Sequence, residues 1–200
     1  MKLMRRVGGI EVKRTFLLTE FLRKYGVAKK NDKKIPPVKK YLLARARAYK
    51  ALRKLPEKKL DKIIGSWKKR LVAYQKVDWY VGELLTKEVG VWKRAGGLPV
   101  SWTDNSLAHT GKMVRKALES GSGLLNKRAR RVVPIIINLK KIIKKDRYSL
   151  PIVIERGPSP VNRKGLKKMR WELDDGNMRS IAFAVSGDRK IKSYIGVKKS

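Results

Sequence analysis

The residues of this chain that are best suited to catalysis are a few carboxylates near its C-terminus. Glu155, Glu172 and Asp174 could ligate magnesium in a nuclease, which needs converging carboxylates and usually a nearby lysine. The segments around them carry only fragments of that pattern. Cysteine is absent and His109 is the single histidine, so the usual zinc sites cannot form within one chain. We therefore predict a protein that is not an enzyme, without catalytic residues, metal or cofactor.

Lysine and arginine recur at helical spacing in two stretches and form a cluster in a third. Between Lys40 and Lys54, four cations follow one another by seven, three and four residues, which aligns them on one face of a helix. A second row, from Lys58 to Lys76, would span roughly 27 Å as a helix and match several phosphates. The residues predicted to bind nucleic acid are Lys39, Lys40, Arg45, Arg47, Lys50, Arg53, Lys54, Lys58, Lys62, Lys69, Arg70, Lys76, Lys127, Arg128, Arg130 and Arg131.

The overall charge supports this interpretation. The chain has 52 Lys and Arg against 16 Asp and Glu, a formal net charge of +36 in 200 residues. A compact protein with such a charge repels itself, so an abundant polyanion is the expected partner. DNA and RNA both fit, and no small-molecule substrate is indicated. Apolar stretches are too short to span a bilayer, and residues 1–9 lack the apolar core of a secretory signal.

Apolar periodicity predicts helices through most of the N-terminal part. They run from 11 to 25, from 36 to about 55, from 56 to 74 with a possible extension toward Trp92, and from about 104 to 120. Tyr49 is expected on the buried side of the second helix. Segment 134–145 fits either a helix or a strand.

From residue 148 the pattern changes to short alternating runs. We predict strands at 150–155, near Trp171, at 181–185 and at 191–197, with Asp175-Gly176 as a hairpin turn. The predicted fold class is α+β, in which a basic, bundle-like helical part precedes a small antiparallel β-meander. The predicted division is a nucleic-acid-binding region over 1–147 and a β-sheet subdomain over 148–200.

The five tryptophans could stack on bases, but packing is the favoured role. Trp67 falls on an apolar stripe and is expected in the core. Trp79 and Trp92 are expected to pack between helices or between copies. No zinc finger, homeodomain or aromatic single-strand motif is present, so contact with the phosphate backbone irrespective of sequence is favoured.

The three basic N-terminal helices, over 11–25, 38–55 and 60–74, resemble the major coat, or nucleocapsid, proteins of filamentous viruses of hyperthermophilic archaea. The single His and Gln, the lack of Cys and the high Lys content are also typical of a hot environment. This resemblance implies a helical virion in which coat subunits, identical or paralogous, enclose double-stranded DNA, often in A-form. The sheet predicted after residue 148 departs from the simplest members of that family, which are almost entirely helical.

Two alternatives remain open at the sequence level. A ribosomal protein that binds rRNA in the cytoplasm would have the same lysine content and many phosphate contacts. Such proteins often carry their charge in long extensions, whereas the basic connector at 29–34 is short. A chromatin-type DNA compactor is the second alternative. The sequence does not choose between DNA and RNA.

Overall fold

The computed structural model describes residues 1–24, 37–120, 127–145, 150–161 and 165–199. The chain forms two compact units. We call residues 8–75 the helical unit, and residues 1–7 together with 76–200 the sheet unit. The helical unit is an insertion, because the chain leaves the sheet unit after its first strand and returns to it at Lys76.

Within the described ranges, the helical unit contains four α-helices. They are α1 (Gly9–Lys24), α2 (Pro37–Arg53), α3 (Glu57–Ile64) and α4 (Lys68–Gln75), with a 3₁₀ turn over Gly65–Trp67 between the last two. Backbone angles stay in the right-handed region through Gly65 and Lys68, so α3, the 3₁₀ turn and α4 follow one another without a break. The interior includes Val12, Leu17 and Leu60, all fully buried.

The sheet unit is built on a six-stranded mixed sheet. Its strands are β1 (Lys2–Val7), β2 (Val77–Leu85), β3 (Val89–Gly90), β4 (Ile152–Glu155), β5 (Trp171–Asp175) and β6 (Lys190–Lys198). Their order is β1-β2-β6-β4-β5-β3, with β3–β5 and β4–β6 parallel and the other neighbours antiparallel. Its helices are α5 (Val100–Thr103), α6 (Leu107–Glu119), α7 (Lys127–Lys145) and α8 (Asn177–Val185).

One continuous apolar core joins the helices to the sheet. Leu84 of β2, Val153 of β4 and Ile195 of β6 belong to it, together with Val114 of α6 and Ile136 of α7. Helices α6 and α8 approach closely. A Cβ atom added at Gly111 would lie only 2.5 Å from the Ala184 Cβ. Small residues at this crossing allow the two backbones to pack together.

The predicted fold class was wrong. The structure is mixed α/β, with a six-stranded sheet that contains parallel pairs, and it lacks the predicted order of a helical bundle followed by a small antiparallel meander. The first strand of the sheet begins at residue 2. The second strand, β2, occupies the segment into which the third helix was predicted to extend. The division predicted between 147 and 148 stays a prediction, and spatial contacts define the two units given above.

The segment 181–185, predicted as a strand, is helix α8. Gly176 takes a left-handed conformation, with φ of 84°, and precedes this helix instead of closing a hairpin. The Ser180 N–H then donates to the Gly176 carbonyl, which completes the first turn. Ile181 and Val185 are four residues apart, so the apolar pattern that predicted a strand also fits one face of a helix.

Other predicted elements are confirmed within a few residues. The first three predicted helices correspond to α1, α2 and the α3–α4 segment, the fourth corresponds to α6, and the strands at 150–155 and 191–197 correspond to β4 and β6. The ambiguous segment 134–145 is helical, and its helix begins earlier, at Lys127, with Pro134 inside it.

Candidate nucleic-acid interface

The outer face of α2 is strongly basic. Ala48 and Leu52 are fully buried and define its inner face, while Arg47, Lys50 and Arg53 are exposed on the other side. Helix α2 contains no acidic residue. Positive side chains in its last turn also complement the negative end of the helix dipole. Because the apolar inner face of α2 is buried, the row of cations on its opposite side faces solvent.

A second group of cations surrounds the turn between α2 and α3. Lys54, Lys58, Lys59 and Lys62 are all exposed there. Helix α1 holds this turn in place, because Arg14 Nη2 donates to the carbonyls of Arg53 and Leu55, each at 3.3 Å. These bonds satisfy carbonyl groups at and just beyond the α2 C-terminus that the helix itself leaves unpaired.

The acidic residues near this turn are already engaged. Lys13 of α1 is almost fully buried, and its Nζ lies 2.8 Å from Glu57 Oε1 and 2.6 Å from Asp61 Oδ1. Burial alone would lower the pKa of Lys13, but the hydrogen bonds and charges of Asp61 and Glu57 raise it above its ordinary value of 10.5. Both carboxylates are thus held by a core lysine, and the salt bridges among the described side chains do not involve the exposed cations of α2.

One predicted contact residue is in the wrong place for binding. Arg70 of α4 is only 9% exposed, and its guanidinium carbon lies 4.3 Å from the centre of the Phe16 ring. The same ring meets Trp67 and Tyr74 edge-on, at 5.4 and 6.3 Å. Arg70 therefore packs in the aromatic cluster of the helical unit through a cation–π contact.

The remaining predicted residues are distributed over both units. Arg45 is half-buried on α2, and Lys69 is exposed on α4. Lys76 is exposed just after α4 and belongs to the sheet unit, as do the exposed Arg130 and Arg131 of α7. The side chains of Lys39, Lys40, Lys127 and Arg128 lie outside the described residues.

Sequence patterns misplaced two aromatic side chains. Tyr49, expected in the core, is 50% exposed and follows the buried Ala48 on α2. Trp67 is also exposed, although one ring edge packs on Phe16. Lys59 and Lys68 were not among the predicted residues, although both are exposed and each is next in sequence to a predicted cation.

Two of the carboxylates considered for a nuclease, Glu155 and Glu172, do not converge. In the β4–β5 ladder, Glu155 pairs with Trp171 and Glu172 with Ile154, so the two glutamates point to opposite faces of the sheet. Glu155 Oε2 accepts a hydrogen bond from the Lys198 backbone at 3.0 Å. Within the part of the chain that the structure describes, histidine and carboxylate side chains form no group of three or more that could hold a metal ion.

Comparison with protein families, with curated proteins and with solved structures gave no match. Among the helices in the described ranges, none combines the length and the apolar composition that crossing a bilayer requires.

Proposed function

We propose that this chain is a structural, non-sequence-specific nucleic-acid-binding protein whose helical unit contacts the phosphate backbone. The observation that carries the proposal is the exposed cationic surface of α2 and of the α2–α3 turn. We call this surface the helical basic face. It consists of Arg47, Lys50, Arg53, Lys54, Lys58, Lys59 and Lys62.

The helical basic face has the properties that backbone binding requires. Its cations stand on ordered helices, so less side-chain and backbone freedom is lost on binding than for a disordered tail. The nearby carboxylates of Glu57 and Asp61 are engaged by Lys13 and compete less with phosphate for these cations. Each phosphate contact releases counterions, which makes such binding strong at low salt and independent of base sequence.

More specifically, we propose that the chain is a coat protein of a filamentous virion. Its support is that the three helices behind the resemblance are present and that their charge is part of folded elements. The partners would then be double-stranded DNA, held in A-form, and further coat subunits. A ribosomal protein and a chromatin-type DNA compactor remain the alternatives, because the same cations would bind rRNA or chromosomal DNA.

Binding measurements across a salt series test the general proposal. Purified protein is titrated with a DNA duplex and with a folded RNA of equal length, each of about 30 base pairs. Six to eight phosphate contacts predict that log K falls against log salt concentration with a slope of about −5 to −7 on duplex DNA. If neither nucleic acid binds at about 50 mM salt, where phosphate contacts are strong, the proposal is wrong.

Electron microscopy separates the finer alternatives. A coat protein mixed with long duplex DNA forms filaments of constant diameter, and circular dichroism of the bound duplex shows an A-form spectrum. Isolated one-to-one complexes with a preference for folded RNA indicate the ribosomal alternative. Condensed but irregular DNA particles, with a B-form spectrum, indicate the compactor. The nucleic acid that co-purifies with the protein at low salt provides an independent check.

A further inference from the structure

One aromatic side chain lies among the cations of α2. Tyr49 is 50% exposed, and it stands on a helix whose buried side includes Ala48 and Leu52. The ring contacts described in the helical unit centre on Phe16, and the Tyr49 ring takes no part in them. A large aromatic surface is therefore left on the solvent side of α2.

Helix geometry fixes where the cations stand relative to this ring. At 3.6 residues per turn, each residue is rotated by about 100° from the one before it. Measured around the axis from Tyr49, Arg53 lies at about 40°, Lys50 at about 100° and Arg47 at about 160°. All three cations are exposed. The ring therefore stands at one border of a basic arc, and Arg53 is its nearest charged neighbour within that arc.

The spacing between the ring and Arg53 is set before any ligand binds. Residues four apart on a helix have Cβ atoms about 5–6 Å from each other, which applies to Tyr49 and Arg53. The backbone at Arg53 is held by Arg14, whose Nη2 donates to the Arg53 carbonyl at 3.3 Å. Ala46, three residues before Tyr49, is exposed and has only a methyl group, so it leaves room beside the ring.

The charge around Tyr49 is positive. Helix α2 has no acidic residue, and the exposed Lys54 extends the basic arc into the turn that follows. The first carboxylates after this turn, Glu57 and Asp61, are both held by Lys13 of α1. A polyanion that reaches the ring therefore meets cations beside it, and this complementarity identifies a nucleic-acid strand as the expected occupant.

We propose that an unpaired base of a nucleic-acid strand stacks on the Tyr49 ring while the adjacent phosphates are bound by Arg53, Lys50 and Arg47. An aromatic ring accepts any base on its face, and positive side chains beside it follow the strand. A base inside a duplex is already stacked and would have to be extruded to reach the ring. This inference rests on the proposed function and adds that the helical basic face binds unpaired strands through a base as well as through phosphates.

The test compares Tyr49→Ala and Tyr49→Phe with the wild-type chain on two probes. These are an oligothymidylate of about 20 nucleotides and a DNA duplex of equal length. Loss of one stacked base predicts that Tyr49→Ala binds the single strand about tenfold more weakly and the duplex with less than about twofold change. Tyr49→Phe keeps the aromatic face and loses the hydroxyl group, so it is expected to retain most of the single-strand affinity.

Photochemical cross-linking tests the contact directly. An oligothymidylate with 5-iodouracil in place of some thymines is irradiated with the wild-type chain, and the modified residue is identified by mass spectrometry. A base stacked on the ring predicts a cross-link at Tyr49. Cross-links at other residues alone would overturn the inference.

Val72→Ala is the matched control, because Val72 is a 42% exposed apolar side chain on α4 of the same unit. It is expected to leave single-strand binding unchanged. Thermal unfolding of each variant confirms that it is folded at the assay temperature. A folded Tyr49→Ala chain that binds the single strand as well as wild type overturns the inference.

Two other results would also overturn it. Equal losses of Tyr49→Ala on both probes would indicate a contact that does not need an unpaired base. A loss in Tyr49→Phe as large as in Tyr49→Ala would assign the contact to the hydroxyl group. A wild-type chain that binds the duplex but not the single strand overturns the inference and leaves the proposed function standing, whereas failure to bind either probe contradicts the proposed function itself.

Discussion

The helical unit and the sheet unit carry their positive charge differently. The helical unit, over residues 8–75, has 21 Lys and Arg against 5 Asp and Glu, a net charge of +16. The sheet unit has 31 against 11, a net charge of +20, on a chain length almost twice as great. The smaller unit therefore has the higher charge per residue, although it has less chain with which to offset the self-repulsion. This difference supports the proposal that the helical unit binds phosphate.

The two units also pack differently. The sheet unit has one continuous core with a close crossing of α6 and α8 at Gly111 and Ala184. In the helical unit, a Cβ added at Gly65 would have no heavy atom of the described residues within 4 Å beyond its chain neighbours and its own helix backbone, and Trp67 remains partly exposed. A methyl group added at Gly111 and one added at Gly65 should therefore change stability in opposite directions.

Removing charge from the helical unit is expected to have the largest effect. Combined alanine substitution of Arg47, Lys50, Arg53 and Lys54 should weaken duplex binding on the order of 100-fold and reduce the salt slope by about 3 to 4. Each lost phosphate contact accounts for roughly 0.9 of that slope. Fluorescence anisotropy across a salt series measures both quantities.

A matched variant of the sheet unit controls for net charge. Alanine at Lys87, Lys112, Lys116 and Lys192 removes four exposed cations of the sheet unit. At about 0.15 M salt, charges farther than roughly 8 Å from the nucleic acid are screened, so this variant should lose less than about tenfold. Equal losses in the two variants would show that the helical basic face is not the binding site.

Gly111→Ala is expected to destabilise the sheet unit by about 2 kcal/mol, a typical cost of adding a methyl group to a tightly packed site. The new methyl group would lie 2.5 Å from the Ala184 Cβ and 2.6 Å from its carbonyl carbon, and backbone atoms cannot rotate away. The gain in helix propensity, about 1 kcal/mol, offsets only part of this strain. Urea unfolding measures the change, and a neutral result would mean that α6 and α8 are less closely packed than the structure has them.

Lys13→Met is expected to destabilise the helical unit by a smaller amount. The substitution leaves Glu57 and Asp61 without their shared cation. Because these carboxylates are partly exposed, water replaces some of the lost interaction, and the cost stays well below that of breaking a fully buried pair, at about 1 kcal/mol. Lys59→Ala, at an exposed lysine nearby, serves as the control and should change the free energy of unfolding by less than about 0.5 kcal/mol.

The Lys13 effect should also depend on pH. Since the folded state raises the pKa of Lys13 above 10.5, the stabilisation is fully present below that pH. It is lost as the pH rises through the folded-state pKa. The difference in unfolding free energy between wild type and Lys13→Met should therefore be constant near neutrality and shrink above about pH 10.5. A difference that grows with alkaline pH would contradict this assignment.

Gly65→Ala should have the smallest effect, a stabilisation of about 0.5 kcal/mol that comes from helix propensity and from reduced freedom of the unfolded chain. Gly65 has φ of −56° and ψ of −23°, which alanine adopts without strain, and the space around the added Cβ is open. Destabilisation in thermal unfolding would indicate that the 3₁₀ turn between α3 and α4 needs the flexibility of glycine.

Local periodicity was a good guide to the helical unit. Helices α1, α2 and α3 were predicted because each has an apolar stripe and a proline or glycine near a boundary, and these signals act over a few residues. The same reasoning failed at Tyr49. Its spacing from Leu52 places it on the apolar stripe of the helix, but its side chain is half exposed. It failed at Arg70 too, since a cation–π contact with Phe16 depends on how α1 and α4 meet.

The sheet could not be predicted in the same way, because its pairings are distant in sequence. Strand β1 pairs with β2, although the whole helical unit separates them along the chain, and β4 lies parallel to β6. Neither relation leaves a local signal. The close approach of Gly96, Val132 and Met178 is similar, because these residues are distant in sequence and meet only in the folded chain.

The sequence by itself determined the net charge, the lack of cysteine and the positions of most helices, since these follow from composition and from contacts within one turn. Tertiary structure alone decided which cations face solvent, which acids Lys13 holds and whether Tyr49 is buried. The physical reason is that burial and long-range pairing depend on which elements meet, and that choice is made by the whole chain.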